Sequence, residues 1–213
     1  MKSLYYLHLN KSAGRFFYNY VICDMKRAVE KAGLEYLLPP TKIKNWTHHG
    51  WNSLITDDTY IVCSLRDPVE AIVSYRLHHS NIIDKEDFFN RIHEATNIQS
   101  RSFVEWDDNM VDPFVPVDFN NENIINRLKR VNLVLDSKSI NLSNVDSIKR
   151  KIAEDLGIKD VLYSLREDTD EFRTPGVKEF CDSLTKEEID IIKEVNYMDV
   201  ELYEAAKSLF YPI

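Results

Sequence analysis

The sequence is poor in the residues that build unusual polymers. Of 213 residues only 5 are glycine and 7 proline, which excludes collagenous, mucin-like and flexible-linker architectures. Cysteine is scarce as well. Cys23, Cys63 and Cys181 are odd in number and far apart, and they form neither a C-x-x-C pair nor a zinc-like spacing with histidine. Three reduced thiols are therefore expected, without a disulfide framework or a zinc site. No run approaches the ~20 consecutive apolar residues of a membrane-spanning helix. Positive charge is in deficit too: 27 Lys and Arg against 35 Asp and Glu leave a formal net charge of −8. That balance argues against the broad basic surface that nucleic acids and anionic membranes recruit. An anionic ligand has to be held by a local site.

What is present reads as one ordinary globular domain over residues 1–213, 44% hydrophobic and 29% charged, with no internal repeat and no linker. Met1-Lys2-Ser3 leads at once into Leu4-Tyr5-Tyr6-Leu7, too short and aromatic for a signal-peptide core, so a cytoplasmic protein is expected.

Strand-like and helix-like patterns alternate. Leu4 to Leu9 suits a buried strand, and Phe16 to Ala32 carries apolar residues at helical spacing up to Gly33. Glu35 to Leu38 and Ile43 to Thr47 read as short strands, and Tyr60 to Leu65 as the clearest buried strand. Pro68 opens a helix to about His79, Asp84 to Ala95 looks helical, and the acidic tract Glu105 to Glu122 reads as an irregular loop. Asn132 to Leu135 is a late strand. Ser143 is placed to cap a helix through Leu156, with Gly157 beyond it. Thr185 with Glu188 forms a capping box, and a last helix spans about Met198 to Leu209. The expected class is α/β: a central parallel sheet between two helical layers, with ligands beyond the carboxyl ends of its strands.

Two turns carry chemistry. Directly after the first strand comes Asn10-Lys11-Ser12-Ala13-Gly14-Arg15, a small-residue turn entering a helix. There backbone N–H groups can converge on a phosphate while Lys11 adds charge. It is not the loop of ordinary nucleotide hydrolases, since the lysine precedes the small residues. After the strongest strand comes Leu65-Arg66-Asp67-Pro68, with Ser74 two helical turns beyond Arg66, so an arginine fork and a hydroxyl can clamp a second phosphate.

Together these turns resemble the two nucleotide loops of the sulfotransferases that use 3′-phosphoadenosine 5′-phosphosulfate (PAPS), especially the carbohydrate 2-O-sulfotransferase branch. That family's first loop usually reads Pro-Lys-Thr-Gly-Gly-Thr-Ser, to which Lys11-Ser12-Ala13-Gly14 is similar. Its second reads Arg-Asp-Pro followed by Ser-x-Tyr, matched by Arg66-Asp67-Pro68 and Ser74. Asn97-Ile98-Gln99-Ser100-Arg101 is similar to an Asn-x-Gln-Thr-Arg segment along the family's cleft. The chain departs from the pattern at Asn10 for proline, at Arg15-Phe16 for Thr-Ser, and at Ala71 for a frequent arginine.

The resemblance implies a phosphate-binding-loop sulfotransferase fold and sulfuryl transfer to a hydroxyl, on a carbohydrate, without a metal. Lys11 takes the role of stabilising the leaving nucleotide. Ser12, Ala13, Gly14 and Arg15 hold the 5′-phosphosulfate, and Arg66 and Ser74 the 3′-phosphate, joined by Arg173 from the late loop Phe172-Arg173-Thr174-Pro175-Gly176. Gln99 and Arg101 order the acceptor or the nucleotide. The base is His48 or His49 in Thr47-His48-His49-Gly50-Trp51, between the two loops. Two other readings compete: a nucleotide kinase-like phosphotransferase, and a protein that binds 3′-phosphoadenosine 5′-phosphate (PAP) without catalysis.

Overall fold

The computed structural model of the chain describes residues 2–9, 11, 14–37, 50–79, 84–104, 119–159 and 174–210. Four strands form one sheet: β1 (Ser3–Leu7), β2 (Glu35–Tyr36), β3 (Thr59–Leu65) and β4 (Leu133–Asp136). β1 and β3 are mostly apolar and aromatic and are buried along their whole length, as expected of central parallel strands covered on both faces. They pair from Ser3 opposite Thr59 to Leu7 opposite Cys63. β2 joins the far side of β1 and β4 the far side of β3, giving the order β2-β1-β3-β4 with every pair parallel.

Alternation along the strands divides the core. Leu4, Tyr6, Tyr60 and Val62 pack against α1 (Gly14–Phe17), the π-helical turn Tyr18–Ile22, α2 (Cys23–Lys31) and α6 (Val145–Leu156). Tyr5, Leu7, Ile61, Cys63 and Leu65 face the other way, toward Trp51, Ile55, α5 (Asn121–Lys129) and α9 (Tyr197–Phe210). A third cluster gathers α3 (Pro68–His79), α4 (Lys85–Asn90), α7 (Val177–Asp182) and α8 (Lys186–Val195) around Ile72, Val73, Phe88 and Ile192.

Local signals explain most boundaries. Pro68 stands first in α3, where its missing N–H costs nothing, and Asp67 Oδ1 accepts from the N–H groups of Val69 (3.0 Å) and Glu70 (3.2 Å). Thr185 and Glu188 close the expected capping box on α8. Gly33 and Gly157 end their helices with φ of 75° and 69°, the left-handed region open to glycine.

Several expectations change. The helix expected from Phe16 runs through a widened π turn that turns Tyr20, Val21 and Ile22 together into the core, a shift that a strict 3.6 period does not describe. Ser143 does not cap α6. Its hydroxyl and N–H both bond Asn141 Oδ1 within the preceding turn, and the helix begins after Asn144. The helix expected over Asp84 to Ala95 stops at Asn90, with Asp84 as its cap, and the loop expected over Glu105 to Glu122 gives way to α5 at Asn121, while 105–118 lie outside the described residues. The strand expected over Ile43 to Thr47 lies outside the described residues. Among the described residues no helix is long and apolar enough to cross a membrane.

Candidate functional site

The sheet's connectivity picks out one edge. From β1 the chain moves through α1 and α2 to β2 on one side, and from β3 it moves to β4 on the other. Strand order thus reverses between β1 and β3, and a crevice opens outside their carboxyl ends at such a point. Leu7 lies opposite Cys63 and β3 runs on to Leu65, so both strands end at the same edge of the sheet. Lys11 follows β1 there, and Arg66 follows β3 immediately. Lys11 has φ of 57°, a left-handed conformation that a side-chain-bearing residue adopts at a cost, and that places strain in this turn. Gly14 then begins α1.

Arg66 is held at both its backbone and its side chain. Its N–H donates to Gln99 Oε1 at 2.9 Å, and Gln99 Nε2 donates back to the Arg66 carbonyl at 2.9 Å. One glutamine amide therefore fixes the strand end as another strand would. The Arg66 guanidinium donates from Nε to Glu70 Oε2 at 3.2 Å, and Glu70 Oε1 meets Lys138 Nζ at 2.9 Å. Burial pushes the Glu70 carboxyl up, but hydrogen bonds from Lys138 and Arg66 more than reverse this and hold it below its ordinary value. The Lys138 ammonium is correspondingly raised, chiefly by its bond to Glu70. Nearby, Tyr203 Oη donates to Asp136 Oδ2 at 3.1 Å, and burial, reinforced by Asp136, drives its phenol pKa up.

Gln99 is placed by a buried network from α9. Asp199 accepts from the N–H of Gln99 (3.1 Å), the N–H of Ser100 (2.7 Å) and Ser100 Oγ (2.7 Å). Burial raises its carboxyl pKa, against these bonds. Asn97, at φ 53°, accepts on Oδ1 from the N–H groups of Met198 (2.9 Å) and Asp199 (3.3 Å), while its own N–H donates to Asn196 Oδ1 at 2.9 Å. Gln99 is fully buried with its amide taken up by Arg66, so its influence on a ligand runs through Arg66. Arg101 donates from Nε to the Thr96 carbonyl at 3.1 Å, and its guanidinium carbon lies 5.7 Å from the centre of the Phe119 ring.

No known family, curated protein or solved structure matches the chain. The site is read from its own chemistry. Ser12, Ala13, His48, His49 and Arg173 lie outside the described residues, as does the side chain of Arg15. Their neighbours are described. Tyr5 Oη, from β1, donates to the carbonyl of Gly50 at 2.6 Å and accepts from Asn52 Nδ2 at 2.8 Å. The N–H of Trp51 donates to the Ser102 carbonyl at 2.7 Å. The end of the histidine segment is thereby tied to β1 and to the turn that carries Gln99 and Arg101. Ser74, buried on α3, donates to Thr174 Oγ1 at 3.3 Å, so the residue after Arg173 touches the second loop's hydroxyl.

The structure thus joins Arg66 to Gln99 and Ser74 to the late loop, and sets Lys11 at the same sheet end. Sequence reasoning passed over Glu70, Lys138, Thr174 and Asp199. Glu70 had a readable signal, four residues after Arg66 on a helix. Lys138 required knowing that β4 lies next to β3.

Proposed function

We propose that this chain is a sulfotransferase that moves a sulfuryl group from PAPS to a hydroxyl of a carbohydrate acceptor, on a phosphate-binding-loop sulfotransferase fold. One observation carries the reading: Lys11 and Arg66 leave the carboxyl ends of neighbouring parallel strands where strand order reverses. That edge is where such sheets take phosphorylated ligands. Two features support the group. Arg66 donates from Nε to the Glu70 carboxylate, the kind of contact it would make with a phosphate oxygen, and the Ser74 hydroxyl lies on the helix that Arg66 precedes.

PAPS, when bound, supplies an activated sulfuryl group. Arg66 and Ser74, with Arg173, bind the 3′-phosphate, and Ser12 through Arg15 bind the 5′ side. Lys11 would set its positive charge toward the oxygen that bridges phosphate and sulfate in the bound group. His48 or His49 would take the proton from the acceptor hydroxyl.

Calorimetric titration with PAP beside adenosine 5′-phosphate and ATP tests the reading without knowledge of the acceptor. Binding that depends on the 3′-phosphate is the expected result. Equal binding of all three overturns it, and magnesium-dependent ATP turnover would favour a phosphotransferase.

A further inference from the structure

We propose that Glu70 is an internal competitor for the anion at Arg66, and that Lys138 is the second cationic ligand of a phosphate monoester that displaces the Glu70 carboxylate. This rests on the anion site proposed above and adds to it a specificity device. The two Glu70 oxygens are divided between two cations, Oε2 to Arg66 Nε at 3.2 Å and Oε1 to Lys138 Nζ at 2.9 Å. Two oxygens of a phosphate reproduce that bridge.

The neighbouring carboxylates are committed elsewhere. Asp67 accepts from the first N–H groups of α3, and Asp136 accepts from Tyr203 Oη and from the N–H of Lys138. Glu70 gives both of its oxygens to side-chain cations. It stands in the first turn of α3, with Arg66 22%, Glu70 27% and Lys138 56% exposed at their side chains. The bridge is open to exchange with anions from solution, unlike a sealed pair.

Charge sets the selectivity. A singly charged oxyanion supplies no more than Glu70 already supplies, so the exchange gains nothing. A doubly charged phosphate monoester sets two negative charges in contact with Arg66 and Lys138 where Glu70 sets one, and Asp67 and Asp136, which act on Lys138 less than Glu70 does, only partly oppose it. The site therefore favours a dianion over a carboxylate or a monoanion.

The test titrates inorganic phosphate into the intact chain and into two variants at constant ionic strength, since screening alters exposed pairs. Glu70→Gln should tighten phosphate about threefold, and Lys138→Met should weaken it by a similar factor. Acetate should bind the wild type much more weakly than phosphate. Phosphate affinity that falls in Glu70→Gln, or that is unchanged in Lys138→Met, overturns the proposal; each variant decides without the other. A wild type that shows this phosphate pattern but does not prefer PAP to adenosine 5′-phosphate would sink the sulfotransferase reading and leave the Glu70 exchange standing.

Discussion

Two sets of paired charges in this molecule differ in burial. Lys149 on α6 meets Asp24 on α2 at 2.8 Å, with side chains 2% and 0% exposed. Arg66, Glu70 and Lys138 make the same kind of contact at comparable distances on the half-open carboxyl edge of the sheet. Distance does not distinguish them; surroundings do. In the interior, loss of Asp24 would leave the Lys149 ammonium to Asp146, a longer contact of 3.4 Å to a carboxylate that is itself 60% exposed, so the buried member of the set is the hard one to replace. At the edge, water and dissolved ions compete for each partner, so pairing is negotiable. The buried pair joins α2 to α6, and the more open set stands at the sheet edge where the ligand is proposed to bind.

The sharpest way to break the contrast is to remove one buried partner. Asp24→Ala should cost about 1 to 3 kcal/mol in urea unfolding, since Lys149 keeps Asp146 at 3.4 Å, and pairing Asp24→Leu with Lys149→Met should recover most of it. A loss under about 1 kcal/mol would show that water reaches this pair. Lys11→Ala tests a cation at the ligand edge. It should lower sulfuryl-transfer turnover by about a hundredfold while barely shifting the melting temperature, and full turnover would remove Lys11 from the reaction.

Gln99→Leu leaves the Arg66 N–H and carbonyl without their side-chain partner. It should cost about 1 to 3 kcal/mol of stability and weaken PAP more than adenosine 5′-phosphate, read by denaturation and calorimetry. Equal weakening of both nucleotides would mean that Gln99 does not act through Arg66.

The smallest effect belongs to Glu70→Gln, which should change stability at neutral pH by less than about 1 kcal/mol. Its pH dependence has a definite sign. The Glu70 carboxyl is held below its ordinary value in the folded chain, so its contribution is complete above the unfolded value and is lost as pH falls through the folded one. The difference in melting temperature between wild type and Glu70→Gln should therefore close in acid. A difference that widened there would contradict the assignment of Arg66 and Lys138 as its partners.

Much of the architecture was legible because its signals are local. The apolar run of β3, Pro68 after Asp67, the Thr185 and Glu188 pair and the glycines at 33 and 157 each act within one turn of the chain. The carboxyl-edge placement of Lys11 and Arg66 followed from strand, turn and helix alternation alone. What escaped depends on contacts across long stretches of sequence. Lys149 finds Asp24 across 125 residues, and Gln99, expected to face a ligand, spends its amide on a backbone 33 residues away. The π turn escaped because period counting assumes an unbroken α-helix, and Ser143 misled because its hydroxyl donates to Asn141 Oδ1 in the preceding turn instead of accepting from the first N–H groups of the helix.

The tie between Asn97–Ser100 and α9 also has a consequence for how the molecule assembles. Asp199 and Asn196 hold a turn that lies about a hundred residues earlier, and that turn in turn holds Arg66. Such distant closures come late, because the intervening loop must first be ordered. As the chain emerges during synthesis, β1 and β3 can pair long before α9 exists, yet the Arg66 backbone beyond β3 has its Gln99 partner unplaced until that helix docks. A nascent chain halted before α9 would hold a recognisable sheet with Arg66 still loose at its edge, and the proposed site would mature only once that helix had been made.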